Sequence, residues 1–311
     1  MEPIEVLGVV AHPGGVLVRR PELSVGVVRA VARPTGLTLE LLSRVAREVA
    51  VRPPVAPRHL LPAYDEGLDL RVGWLGPDDR ARWEYVVSET RSTSPTAPAV
   101  HRGVYLLPPL FDEVSLVLAW PEIGFPEAVL PLPLPSRALV AAAGTSVWDG
   151  PRVGVPVAEE FERHLADAGP LDLAVEEGVA VAAPVVLHGS ADAVVVLAGV
   201  TVVGPVLTLD VLSIARGTTA VAVGLRAFPG TGPPPREEGA SVRASVAEVR
   251  GRGAHLLRPH GGSVGGGSGP GRFHDRSTFV VTRPDGGVLD LLVSWPLAGL
   301  AEVRARVPLR G

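Results

Sequence analysis

The phrase WPEIGFPE (120–127) returns as WPLAGLAE (295–302). A long-range repeat of this kind constrains the fold more than any single element, because repeated units share one architecture. Three further segments come into line when the second half is moved back. LTLELLS (37–43) falls on LTLDVLS (207–213) at an offset of 170 residues. EGLDLRV (66–72) falls on EGASVRA (238–244) at 172, and GVYLLPP (103–109) on STFVVTR (277–283) at 174. The Trp-Pro phrase is offset by 175. Single matches among Val-rich strands arise by chance, but an ordered series of four rarely does. The expectation is an internal duplication.

The repeat bears on local structure. LTLELLSRVAREVA fits a helix, with Leu37, Leu41, Val45 and Val49 on one face. Its counterpart alternates Leu207, Leu209 and Val211 and then meets Gly217, which is strand grammar. If the two copies share a fold, residues 37–44 form a strand as well. Short β-rich segments recur at 25–32, 68–74, 82–87, 104–107, 114–120 and 128–132. In the second half they recur at 194–203, 221–227, 242–249, 278–282, 288–295 and 303–307. Gly, Pro and Asp punctuate them, the spacing expected of a sandwich or barrel. The predicted fold class is all-β: two tandem, duplicated antiparallel β-sandwich domains joined by a short helix. The predicted domains are a first repeat over 1–150, a helical connector over 151–170 and a second repeat over 171–311. The helix is expected at 156–168, PVAEEFERHLADA, with Pro156 in its first turn, acidic residues at its start and Gly169-Pro170 as its stop.

Within the repeated phrase, Pro121 ends ladder pairing and Gly124 allows a tight turn. The phrase is read as a structural turn: Trp120, Pro121, Gly124 and Glu127 in the first copy, Trp295, Pro296, Gly299 and Glu302 in the second. Both Trp residues are expected in the core or at its rim. The Gly-rich tract GGSVGGGSGPG (261–271) and the following DGGVLDLLVSWPLAGLAEVRARV resemble a bacterial family of small β proteins. In that family a Gly-rich run and a strand precede a terminal W-P-x-x-G-x-x-E hairpin. The resemblance covers the second half well and the first loosely, and the acidic residue before the family's Trp is replaced by Ala119 and Ser294. It implies the β fold and carries no activity.

Composition excludes several chemistries. The 311 residues are 46% hydrophobic and 20% charged, enough apolar side chain for real cores. There is no Cys, hence no disulfide and no thiolate metal site. The chain also lacks Lys, Asn and Gln, so it has neither a P-loop lysine nor a Schiff-base lysine. A net charge of −4 offers no nucleic-acid or anionic-membrane footprint. The 17 uncharged residues at 193–209 contain Gly and Pro and are read as two buried strands with a turn at Gly204-Pro205, not a membrane span. The N-terminal residues carry Glu2 and Glu5 without a basic leader region, and a cytoplasmic location is expected.

Candidate sites are few. Ser263 sits in a formal G-x-S-x-G, but a nucleophile elbow needs a strand before it and a helix after it, and here more Gly follows. The Gly-rich loop, read as a flexible connection, could cradle an anion with Arg258 and Arg272, and His260 and His274 flank it. His255 and Asp275 lie nearby in sequence without metal-ligand spacing, and His164 is expected on the surface of the connector. Asp78-Asp79 and Asp65-Glu66 are acidic pairs that turn chemistry explains. No cofactor and no catalytic residue is expected. The chain reads as a non-catalytic interaction or assembly module with a protein partner, a monomer with an internal pseudo-two-fold. The alternative is a small-ligand or glycan-binding protein using Trp74, Trp83 and Trp148.

Overall fold

The structure, a computed structural model, describes residues 5–46, 58–62, 69–94, 97–166, 178–227, 242–266 and 271–310. Side chains at 88–94, 97–98 and 261–266 are outside that description. The chain divides into two compact units. The first is Gly8–Gly144 with Asp172–Ala180; the second is Met1–Leu7, Thr145–Leu171 and Val181–Gly311. The described residues are all-β, with several antiparallel sheets and two helices.

The first unit holds β1 (Val9–His12), β2 (Gly15–Arg19), β3 (Leu23–Arg33), β4 (Gly36–Val45), β5 (Arg71–Leu75) and β6 (Ala81–Glu84). It continues with β7 (Val86–Ser94), β8 (Ala97–Leu107), β9 (Glu113–Trp120), β10 (Phe125–Pro133) and α1 (Arg137–Ala142). Its large sheet runs β1-β3-β4-β8-β7, with β2 also on β3, and its small sheet runs β10-β9-β5-β6. After β11 (Gly154–Pro156) and β12 (Glu162–Leu165) come β13 (Val179–Ala182), β14 (Val185–Gly189), β15 (Ala193–Val203) and β16 (Val206–Arg216). Helix α2 (Gly217–Ala227) precedes β17 (Ser245–Arg250), β18 (Gly253–Leu256), β19 (Gly261–Gly266), β20 (Arg272–Thr282), β21 (Val288–Trp295) and β22 (Leu300–Pro308).

The second large sheet runs β13-β15-β16-β20-β19, with β14 on β15. The second small sheet contains β22-β21-β17-β18, so each of β13 to β22 takes the place of the strand twelve earlier. Two strands have no such counterpart: β11 lies outside β22 and β12 outside β18. Registers recur too. The ladder skips a residue between Val27 and Arg29 of β3 and between Leu197 and Gly199 of β15. It skips one between Val16 and Val18 of β2 and between Val186 and His188 of β14. In β5, Val72 faces Leu118, as Val246 of β17 faces Val293. The offset there is therefore 174 residues. The sequence match of EGLDLRV to EGASVRA at 172 was two residues out of register.

Each unit has a core lined by both of its sheets. In the first, Val25, Val27, Leu39 and Leu41 of the large sheet cluster with Leu116, Leu118 and Trp120 of the small one. In the second, Val195, Leu197, Leu209 and Val211 cluster with Leu291, Val293 and Trp295. Burying each of these side chains contributes about 1.5–3 kcal/mol. The uncharged stretch is the pair β15–β16, turning at Gly204 (φ 60°) and Pro205. β15 is buried on both faces, which removes the alternation of a half-exposed strand. Residues 37–44 are strand, within β4.

Three local expectations fail. Residues 156–166 form no helix: Pro156 ends β11 on β22, and β12 pairs in parallel with β18, so a predicted helical connector is extended chain. The free backbone of a sheet edge outweighs modest helix propensity. Residues 221–227, expected as a strand, belong to α2. The alternation of Val221, Val223 and Leu225 is misleading, because burial falls on Ala220 and Val223, three residues apart. The Gly-rich tract is not a loop throughout: Gly261–Gly266 is β19, laddered to β20 from Thr278 to Phe273.

Candidate functional site

The repeated Trp-Pro phrase is a turn in both copies. Pro121–Ile123 and Pro296–Ala298 each form one 3-10 turn. Gly124 (φ 81°) and Gly299 (φ 73°) close it, each donating its N–H to the Pro carbonyl at 2.9 Å. A left-handed residue is needed at that point, which is why glycine stands there. Trp120 and Trp295 point into the cores, and Phe125 and Leu300 follow them in. Trp295 Nε1 donates to Val242 O at 3.0 Å.

The glutamate of the phrase faces outward. Glu127 accepts the backbone N–H groups of His59 (2.7 Å), Leu60 (2.8 Å) and Leu61 (2.6 Å). Glu122 takes Arg71 at 2.6 and 2.7 Å and Arg58 at 3.1 Å. Together they pin residues 58–61 to the small sheet. Glu302 instead accepts from the exposed Arg163 at 2.7 Å. The eight residues singled out in the two phrases thus have structural places, with both Trp buried.

The sequence candidates around the Gly-rich tract do not converge. Arg258 is exposed, and His260 donates its backbone N–H to Thr278 O at 2.8 Å. Arg272 lies 3.5 Å from Glu5. His274 faces Ile214 across the ladder. Burial pushes the imidazoles of His260 and His274 below their ordinary range, and neighbouring Asp275 partly opposes this at His274. His255 is in the other sheet, stacked on His164 at 5.1 Å between ring centroids. Among the described residues no group of three or more His, Asp and Glu is placed to hold a metal ion. The side chain of Ser263 lies outside the described residues, as do Asp65 and Glu66. Asp79 (φ 55°) is in a turn, its N–H bonded to Gly76 O at 3.0 Å, and Asp78 sits 3.8 Å from Arg82.

The buried carboxylates are tied to arginine. Glu40 of β4 contacts Arg102, and Arg29 lies 2.9 Å away. Burial alone pushes the Glu40 carboxyl up, and the Arg102 and Arg29 guanidiniums reverse this, holding it at about 2. Asp210 and Arg276 occupy the matching places in the second unit, 2.8 Å apart. Asp275 is pushed up by burial, against the pull of Arg243 at 3.2 Å and Ser277 at 2.9 Å. Asp290 is held by Arg304 and Arg306, which overcome its burial and lower it.

Of the three aromatic candidates, Trp74 is in the core and Trp148 lies under Arg216, whose guanidinium is 4.2 Å from the ring centroid. Trp83 is different: it is on β6, the last strand of the first small sheet, and its ring fills the space above Gly73. A Cβ at Gly73 would meet that ring at 2.9 Å. Among the described residues β6 pairs on one side only, with β5. Beyond it Tyr85 is 84% exposed and Val87 48%. The equivalent strand β18 carries β12, from Glu162↔Gly253 to Leu165↔Leu256. This edge is the candidate site. Sequence reading marked 82–87 as a strand and Trp83 as an aromatic, but missed Arg82, Glu84 and Tyr85. The alternation of Arg, Trp, Glu and Tyr was the available signal.

No protein-family model matches the chain, and no curated protein matches it. Among solved structures, one similar chain is a conserved domain protein from Bacillus anthracis, at 9% identity and a TM-score of 0.24, over 92% of this chain and 77% of that one. A second is the CupB6 tip adhesin from Pseudomonas aeruginosa, at 10% identity and a TM-score of 0.09, over 95% and 98%. Similarity at these scores carries no argument about fold or function.

Proposed function

We propose that this chain is a non-catalytic protein-interaction module, two duplicated β-sandwiches in tandem, whose first copy takes up a partner's strand at the β6 edge. Adding a strand to an open edge satisfies backbone groups of both chains and needs no pocket. The observation that carries this reading is the difference between equivalent strands: among the described residues β18 is paired by β12, and β6 has no strand on its outer side, with Tyr85 standing out beside it. The duplication is supported by the matching strand order and the recurring register shifts. The non-catalytic reading is supported by the committed state of Glu40, Asp210, Glu122 and Asp290 in ion pairs.

Partners other than nucleic acid or anionic lipid go with the net charge of −4. Among the described residues no helix is long and apolar enough to cross a membrane. A cytoplasmic location belongs to the same reading. The glycan-binding alternative has less behind it, because Trp74 is buried and Trp148 is covered by Arg216.

The test is co-purification of the tagged full chain from its native lysate, beside the variant Tyr85→Arg/Val87→Arg. Both positions are exposed, so the variant folds. A partner held at fixed stoichiometry by the parent and lost by the variant supports the reading. An identical set of bound proteins in both, or none in either, overturns the β6 edge as the site.

A further inference from the structure

We infer that the occupant of the β6 edge is a second copy of this chain, paired antiparallel about a two-fold axis at Trp83. The inference rests on the interaction reading above and names its partner. Three observations support it.

The first is charge. Arg82 and Glu84 flank Trp83 on β6. A two-fold axis through an antiparallel pair centred on Trp83 sets Arg82 of each copy opposite Glu84 of the other. Opposite charges in facing positions favour that register, and a slip by one residue loses both pairs. Among the described residues Arg82 makes a loose contact, 3.8 Å to Asp78, with both side chains about half exposed, so it is available for a better partner. The same axis sets the two Trp83 residues opposite each other, on the other face of the sheet.

The second is that the fold tolerates a strand at this place. The counterpart β18 has one in β12, aligned over four residues. His255 there occupies the place of Arg82 and stacks on His164 of the added strand. An added strand on this side of the small sheet is therefore compatible with everything around it in one copy of the repeat.

The third is closure. The other edge of the same sheet, β10, carries Pro126, Pro131 and Pro133, which lack the N–H a further ladder needs. These prolines confine any further pairing on β10 to the short stretch Glu127–Leu130. Pairing of β6 with β6 is then isologous and ends at two copies instead of growing into a fibre. The product is a continuous sheet of eight strands, four from each copy.

The experiment is sedimentation velocity of the full chain over a dilution series. A species of twice the 32.4 kDa chain mass is expected at high concentration. Arg82→Glu sets Glu against Glu84 and weakens dimerisation by about tenfold or more; Glu84→Arg does the same with Arg against Arg82. The double variant Arg82→Glu/Glu84→Arg restores pairing, because the charges face again in reverse. Unchanged thermal unfolding of each monomer checks that the variants fold. A monomer at all concentrations overturns the self-pairing. So does a dimer indifferent to both single variants, or a double variant that does not recover. Those failures leave the general reading standing if the Tyr85→Arg/Val87→Arg variant still loses a different protein partner.

Discussion

The two units use the same strand order and treat their sheet edges differently. In the second, β11 lies along β22 and β12 along β18, so both sides of the small sheet are covered. In the first, among the described residues, β10 and β6 each pair on one side only. β22 takes β11 at Val303–Ala305, whose matching residues in β10 are Ala128–Leu130; beyond them β10 has Pro131 where β22 has Arg306, and both strands end in proline, Pro133 and Pro308. A strand that receives a neighbour needs its N–H groups, and a strand that must refuse one does better without them. Edge pairing is therefore where the two units differ, while matching core positions are apolar in both.

The largest expected effect concerns the repeated tryptophans. Trp295 is fully buried and its indole N–H is bonded to Val242. Trp295→Ala is expected to cost about 3–5 kcal/mol in the denaturant unfolding of its unit, from lost packing and the cavity left behind. Trp120→Ala, at 4% exposure, should cost somewhat less. Losses of a few tenths of a kcal/mol at both would place both residues at the surface, and a small loss at one alone would break the equivalence of the two cores.

Next in size is the buried ion-pair site of the large sheets. The Glu40 carboxyl is held at about 2, below its reference value of 4.5. A carboxyl depressed in the folded state contributes stability that is fully present above pH 4.5 and is lost as pH falls towards 2. The contribution is roughly 3 kcal/mol. Glu40→Gln is expected to lose that amount at neutral pH, leaving Arg29 and Arg102 without their carboxylate, and to flatten the fall of stability between pH 4.5 and 2. Asp210→Asn tests the matching pair with Arg276. An acid profile unchanged by Glu40→Gln would show that the site does not set acid stability.

The outward glutamates of the Trp-Pro phrase separate the units further. Glu127→Ala leaves three backbone donors of residues 59–61 without their acceptor and should cost about 1–2 kcal/mol. Glu302→Ala removes one pair to Arg163, which is 61% exposed, and should cost well under 1 kcal/mol. Thermal melts of the two variants compare them directly, and equal losses would mean that the outward residue has one role in both copies.

These contrasts show why some of the molecule was legible in its sequence. The likeness of the two strand orders was foreshadowed because core strands have apolar residues at matching places: Leu37, Leu39 and Leu41 answer Leu207, Leu209 and Val211. The Trp-Pro turn was readable because only glycine suits a left-handed closing residue. Residues 156–166 and 221–227 were misread: no strand of the first unit matches β11 or β12, and the residues in line with α2, 47–57, lie outside the described residues. β12 is a strand through the edge it meets, and α2 is a helix through the surface under Ala220 and Val223. The candidate edge was the least legible part. Whether a strand is first, middle or last in its sheet is a property of topology, and nothing in Arg82, Trp83 and Glu84 states it.

The smallest effect is the most direct probe of that edge. β12 is four residues long and exposed at each of them, so it adds little to global stability. His164→Pro removes its central N–H donor and should change the unfolding free energy by less than about 1 kcal/mol. Its local effect should be plain in hydrogen exchange, measured where the chain is monomeric. In the parent, outward amides of Gly253–Leu256 are protected by β12 and those of Ala81–Glu84 are not. In the variant both sets should exchange alike, turning β18 into an edge like β6. Protection of β18 that survives His164→Pro would mean that β12 does not cover it in solution. Equal protection of β6 and β18 in the monomeric parent would remove the asymmetry on which the partner-binding edge depends.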